Sequence, residues 1–220
     1  MLILLPCLLE VEDISDNGGS MDDVIEWVHS GECIVYPTST LPALGCIPEP
    51  SALDVLFKIK GRPSSAPVSL GVADLGQASE IVEVTDDVYE ILDSFPDGSL
   101  TIVLKPIEEM DFRLGFRGVA VRVVSDSRAR DLLLKTGPLT ATSANHTGQE
   151  AFLNCIKAAD SLCTSEHTVL GVDGECHGGL PSTLIAWHTV CSSPESPQIE
   201  VVREGKVSTE EILAWWKKRI

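Results

Sequence analysis

With 220 residues, 44% of them hydrophobic but only 5% aromatic, the chain can bury a full and mostly aliphatic core, as layered α/β or α+β domains do. Sixteen Lys and Arg stand against thirty-three Asp and Glu, a net charge of -17, which excludes broad electrostatic binding to nucleic acid or to an anionic membrane while leaving a local cationic pocket open. Seven cysteines with no CxxC pair read as reduced, mostly buried thiols of a cytoplasmic protein and not as a disulfide framework or zinc site, and no stretch reaches the roughly 18 apolar residues of a membrane span.

The apolar opening Met1 to Leu9 lacks a basic flank and runs into Glu10, Glu12 and Asp13, so it reads as a first core strand and not a signal peptide. Ser20 is placed to cap a helix whose apolar side is Met21, Val24, Ile25 and Val28, ended by Gly31. Glu32 to Pro37 is a β-rich run leading into Thr38 to Gly45, a loop crowded with hydroxyls at the end of a buried strand, where an α/β protein places a ligand. Leu53, Leu56 and Phe57 give a second amphipathic helix that Gly61 and Pro63 stop. Lys60 and Arg62 are thereby held in a tight turn. Two fixed cations imply an anion, or else serve only to complement the helix C-terminus.

Pro67 to Val72 reads as a strand, about 74 to 92 as one helical region, Ser94 to Ser99 as a turn cluster and Leu100 to Leu104 as a strand. The loop Met110 to Gly118, holding Arg113 and Arg117, feeds the strand Val119 to Val124, where Arg122 alternates with Val121 and Val123. A charge inside an apolar strand needs a counter-ion, supplied by an internal ion pair or by a bound carboxylate or phosphate. After a helix at Ser127 to Lys135, Pro138 to Gly148 is a second hydroxyl-rich loop, in which small Ala141 and Ala144 admit a ligand close to the backbone. A helix (Ala151 to Ser161), a strand (Thr168 to Val172), a Gly-rich loop, a strand from Pro181 that includes Thr183, a Pro/Ser-rich loop (Cys191 to Pro197), a strand (Ile199 to Arg203) and a short helix with Ser208 and Glu211 in capping-box spacing complete the chain. Strands and helices alternate without regular βαβ spacing, which favours a mixed sheet with helices packed on it; no repeat or boundary divides residues 1–220, of which 206–220 form the terminal helix.

Pro37-Thr38-Ser39-Thr40 with Leu44-Gly45, Lys60-Gly61-Arg62-Pro63, Leu100-Thr101, Val119-Ala120-Val121-Arg122, Thr142-Ser143-Ala144-Asn145 with Gly148, Pro181-Ser182-Thr183, and Arg203 with Gly205 follow the order and rough spacing of the YrdC-like family. From about residue 20 to 205 the chain resembles the L-threonylcarbamoyladenylate synthases of that family. The resemblance implies an α/β (α+β-like) fold, a twisted mixed parallel and antiparallel sheet with flanking helices around a concave cationic cavity. It implies a nucleotidyltransferase that makes threonylcarbamoyl-AMP and pyrophosphate from L-threonine, bicarbonate and ATP, for use by a separate transferase complex that modifies a tRNA adenosine. By motif, Lys60 and Arg62 would act catalytically on the ATP phosphates, with Mg²⁺ held mainly by those phosphates and no protein metal site. Ser143 and Asn145 would bond the nucleotide and Arg203 would close over it. Thr38, Thr40, Arg122, Ala141 and Ser182 would hold L-threonine, with Arg122 on its carboxylate. The sequence departs from the usual pattern at Leu41-Pro42-Ala43, where an aromatic-glycine pair is common, and at Gly71, where a polar residue is common; both lie on the threonine side. Two other readings stay open, a YciO-like relative with a different substrate and a non-catalytic nucleotide- or RNA-binding module with weak RNA contact.

Overall fold

The computed structural model describes residues 21–191 and 198–219, so the expected opening strand, the Ser20 cap and most of the Cys191 to Pro197 loop lie outside the described residues. In chain order the elements are α1 (Met21–His29), β1 (Ile34–Tyr36), β2 (Ala43–Gly45), α2 (Pro50–Lys60), β3 (Leu70–Val72), α3 (Leu75–Ala78), α4 (Asp86–Ser94), β4 (Leu100–Leu104) and β5 (Val119–Val123). There follow α5 (Ser127–Thr136), β6 (Leu139–Thr140), β7 (Thr142–Ser143), α6 (Cys155–Leu162), β8 (Leu170–Gly171), β9 (Thr183–Ala186), β10 (Glu200–Arg203) and α7 (Thr209–Lys217).

The strands are mixed in direction, as expected, but form two sheets instead of one. Six strands run in the order β10-β9-β4-β5-β3-β6 and four in the order β7-β2-β1-β8. The chain passes from one sheet to the other at Ala141, the single residue between β6 and β7. Tyr36 reinforces the junction by donating its phenolic hydrogen to the Thr140 carbonyl at 2.9 Å. β2 was expected as loop. It extends because β1 is buried along its whole length and needs a partner for its polar backbone, which Ala43 to Gly45 supply by antiparallel pairing.

Alternation along the six-stranded sheet puts Ile102, Val121 and Ile185 into a large aliphatic core with α2, α6 and α7. Residues one step away, Thr101, Arg122 and Leu184, point to the opposite face. A second core joins α1 and α5 to β1 through Val28, Ile34, Leu132 and Leu133.

The helical region expected over about 74 to 92 consists of two helices, α3 and α4. Between them the backbone is diverted to β4, with Glu83 N–H bonded to the Lys105 carbonyl at 2.8 Å and Ile107 N–H to the Ile81 carbonyl at 3.0 Å. These ladder-like bonds outweigh local helix propensity. Arg113 likewise sits in a short 3-10 turn, Phe112–Leu114, paired with Asp111 and Asp54. The capping box at Ser208 and Glu211 is formed.

Thr183 is a fully buried strand residue whose hydroxyl accepts the Gly205 and Val207 amides, each at 3.0 Å, and donates to the Val207 carbonyl. It thereby pins the turn after β10 against β9. Thr183→Val keeps the shape and leaves these groups unpaired, so unfolding in denaturant should show a loss of roughly 1–3 kcal/mol with an unchanged slope.

Candidate active site

On its face opposite the large core, the six-stranded sheet floors a cavity of about 770 Å³. Register fixes what the floor presents. Leu184 pairs with Thr101 on one side and with Arg203 on the other, and the β4–β5 ladder, continued one step past Ile102↔Val121, sets Thr101 beside Arg122. Arg122, Thr101, Leu184 and Arg203 thus form one row across four strands. Three strand spacings separate the two arginines, roughly 14 Å along the backbone. The next row, Ala120, Val103 and Ala186, is small and apolar.

Arg122 is only 9% exposed. Its Nη2 donates to Ser39 Oγ at 2.9 Å, Thr40 Oγ1 at 3.2 Å and the Gly98 carbonyl at 2.9 Å, and its Nε reaches the same carbonyl at 3.1 Å. Among the described residues no carboxylate stands within ion-pair distance of it. Of the two readings for a charge in this strand, the internal ion pair is therefore not formed. Burial lowers the Arg122 pKa below the ordinary guanidinium value, and its charge is held by neutral dipoles alone.

Three more arginines line the cavity. Arg62 donates to the Ala66 and Pro67 carbonyls at 2.7 and 2.8 Å, and Arg203 to the Ser182 carbonyl at 2.8 Å; burial lowers both. Arg117 is the fourth. Among the described residues no Asp or Glu lines the cavity. Elsewhere Arg113, Arg128 and Arg219 each have a carboxylate partner. Arg62, Arg122 and Arg203, by contrast, are held in the cavity by carbonyl and hydroxyl oxygens.

Seven of the ten sequence-predicted site residues line the cavity, namely Arg62, Ser143, Arg203, Thr40, Arg122, Ala141 and Ser182. Lys60, Asn145 and Thr38 stand behind the lining. Lys60 was expected to face phosphate. It is 3% exposed, and its ammonium donates instead to the Asn145 carbonyl at 2.9 Å, Asn145 Oδ1 at 3.2 Å and the Ser143 carbonyl. The cause is the helix end. Gly61 takes the left-handed conformation, φ 59°, so the chain turns between Lys60, which points at the 143–145 loop, and Arg62, which points into the cavity. Burial, then the Arg62 charge, brings the Lys60 pKa down to about 8. Thr38 braces Thr40 by accepting its amide at 3.3 Å and donating to the Leu41 carbonyl at 2.7 Å.

Sequence reasoning missed Arg117 as a lining residue, and Ser39 and Gly98 as the partners that hold Arg122. Ser39 carried a signal, as a hydroxyl in the first loop. Gly98 acts through its carbonyl, which no side-chain pattern reveals. The structure also accounts for Gly71, since a Cβ there would lie 2.6 Å from the Tyr36 hydroxyl oxygen.

Residues 26–205 match the family model described as Sua5_yciO_yrdC, telomere recombination. A Bacillus subtilis protein named threonylcarbamoyl-AMP synthase is 26% identical over 213 residues, which is 92% of this chain and 58% of that protein. A Yersinia enterocolitica protein of the same name is 32% identical over 143 residues, 62% of this chain and 75% of its own length. The crystal structure of Escherichia coli YciO superposes with a TM-score of 0.70 at 26% identity, covering 86% of this chain and 91% of that one. The chain thus spans less than two thirds of the Bacillus relative.

Lys60 gives this site a pH signature. Its folded pKa of about 8 lies below the ordinary 10.5, so between these values the unfolded chain binds a proton that the folded protein does not. Denaturant unfolding at graded pH should show wild-type stability rising relative to Lys60→Met through that window and level below it. Parallel curves would mean that Lys60 titrates as an ordinary lysine.

Proposed function

This chain belongs to the Sua5–YciO–YrdC family, and from that premise we propose that it is a threonylcarbamoyl-AMP synthase, using L-threonine, bicarbonate and ATP and releasing pyrophosphate. The observation that carries the reading is a cavity lined by four arginines and, among the described residues, by no acidic one, in a chain of net charge -17. Such a cavity selects a polyanion or a set of anions. Arg122, buried and without a counter-ion, takes the threonine carboxylate, with Thr40 and the Thr101–Ser182 hydroxyl pair, 2.7 Å apart, beside it. Arg62, Arg203 and Ser143 take the nucleotide.

The chemistry asks for positioning and charge neutralisation more than for a covalent group on the protein. The unprotonated threonine amine attacks the carbon of bicarbonate or carbon dioxide. The carbamate oxygen so formed attacks the α-phosphorus of ATP, and pyrophosphate leaves with the electron pair of the broken P–O bond. Negative charge grows on the phosphate oxygens as this happens, and fixed guanidinium donors stabilise it. Lys60 and Asn145 act one layer back, by holding the loop that presents Ser143. Thr38 likewise holds Thr40.

Among the described residues no group of three His, Cys, Asp or Glu is placed to hold a metal ion. The lining fits a Mg²⁺ whose ligands are phosphate oxygens and water, the usual manner of a nucleotide-borne ion. No helix among the described residues is long and apolar enough to cross a membrane, and the six described cysteines are free thiols. Both agree with a cytoplasmic enzyme that passes its activated product to a separate tRNA-modifying transferase. The YciO-like reading has one observation in its favour. The Tyr36 hydroxyl fills the space beside Gly71, so position 71 offers no polar side chain to an amino-acid substrate.

With ATP, Mg²⁺, bicarbonate and labelled amino acid, pyrophosphate release should require L-threonine. Arg122→Met should lower kcat/KM for threonine by roughly 10²-fold or more, the cost of losing a desolvated charged contact, while leaving the circular dichroism spectrum intact. Arg62→Ala should raise KM for ATP. Release that ignores which amino acid is supplied would point to the YciO-like reading, and no release with any amino acid would overturn the synthase.

A further inference from the structure

Four of the six described cysteines stand as two neighbouring pairs. Cys33 and Cys46 face each other where the β1–β2 ladder continues past Ile34↔Gly45, and both are sealed in the core. Cys155 and Cys176 are set differently. They flank the isolated bridge Asn154↔Glu175, with Cys155 N–H bonded to the Gly174 carbonyl and Cys176 N–H to the Leu153 carbonyl, both at 2.9 Å. That pattern places the two side chains on one face of the bridge, thiol against thiol. In the strip around Cys176, Asp173, Glu175 and His177 are exposed while Gly174 and Cys176 are buried, and the strip belongs to neither sheet. Outside both sheets, the strip is held by this bridge and a few bonds to the first loop, so it opens at lower cost than the sheets do and Cys176 can meet a small reagent without global unfolding.

The same strip backs the amino-acid end of the cavity. Cys176 Sγ accepts the Thr38 amide at 3.3 Å, and Gly178 N–H bonds the Thr40 carbonyl at 2.8 Å. Thr38 in turn braces Thr40, whose hydroxyl accepts from Arg122. Contact with Cys155 holds the Cys176 thiol below its ordinary pKa, with the Thr38 amide and the Arg122 charge acting the same way and burial opposing. The proposed reaction uses neither thiol.

We infer that Cys155 and Cys176 form a reversible thiol–disulfide exchange site, and that its oxidation weakens amino-acid binding through the Thr38 amide. The second half rests on the function proposed above. The oxidant is a small-molecule disulfide such as oxidised glutathione. The Cys176 thiolate attacks one of its sulfurs, forming a mixed disulfide and expelling a thiolate that takes up a proton. The Cys155 thiolate then attacks Cys176 Sγ and expels the second small thiol, so that two protein thiols and one disulfide give one protein disulfide and two small thiols. Drawing Cys176 Sγ into a bond with Cys155 removes the acceptor that Thr38 N–H has in the reduced protein.

The test equilibrates the folded full-length chain in glutathione buffers of graded oxidised-to-reduced ratio, traps free thiols by alkylation and maps peptides without reduction. A Cys155–Cys176 linked peptide is expected, lost in Cys155→Ser, together with a matching shift of the Thr38 amide resonance. The KM for threonine should rise severalfold on oxidation, with KM for ATP unchanged and full recovery on adding reductant. A folded protein that yields no linked peptide, or a link only between Cys33 and Cys46, overturns the site; a linked peptide without the Thr38 shift overturns the coupling. Peptide map and amide shift need no turnover, so an enzyme inactive toward threonine would count against the proposed function and leave both readouts interpretable.

Discussion

The arrangement depends on one electrostatic constraint, a buried guanidinium with no carboxylate to neutralise it. Removing a charge from water without a counter-ion costs several kcal/mol, and at Arg122 that cost is offset only in part, by the dipoles of Gly98, Ser39 and Thr40. The free protein is therefore held away from its most favourable state, and an incoming anion completes the pairing. Neutral oxygens suit this better than an acid would, because they fix the side chain's direction without competing for its charge. Outside the site, Asp54, Asp173 and Glu90 pair with Arg113, Arg128 and Arg219.

The sheet supplies the distances. A row that runs across strands repeats at the strand spacing, so residues on four strands present groups at fixed intervals without any loop having to find a conformation. Arg122 and Arg203 mark the two ends of such a row, with Thr101 and Leu184 between them. Loops enter only from above, and each is tied to another segment of the chain. The Thr38–Leu41 loop is tied to the strip at 176–178, the Ser143–Asn145 loop to Lys60, and the turn after β10 to Thr183. A net charge of -17 repels anions at long range, and low-dielectric walls around four arginines focus an attractive field at close range.

Much of this was legible in the chain. Periodicity located α1, α2 and α5, capping-box spacing located α7, and β-rich runs located β1, β4 and β5. The hydroxyl loops and the basic helix end marked the three sides of the cavity before any coordinates. What escaped was of two kinds. Long-range backbone pairing divided the helical region expected over about 74 to 92 and extended β2, and such pairing leaves no local trace because its partner lies far along the chain. The roles of Lys60 and Arg62 also could not be separated from sequence. They are two residues apart with the same charge, and only the left-handed turn at Gly61 sends one side chain inward to a loop and the other to the cavity.

The same limit bears on Gly71. As a bare letter it is the loss of a polar contact and weakens the case for an amino-acid substrate. In the fold it is the partner of Tyr36, whose hydroxyl occupies the volume that a side chain at 71 would need and spends its hydrogen on the Thr140 carbonyl beside Ala141. The polar group at that corner belongs to Tyr36 of the neighbouring sheet and is part of the joint that holds the two sheets together. A phenol anchored at both ends cannot turn toward a ligand as a free side chain could. Under the proposed function, recognition at that end falls to Arg122, Thr40 and the Thr101–Ser182 pair, whose positions the six-stranded sheet and the braced first loop already fix.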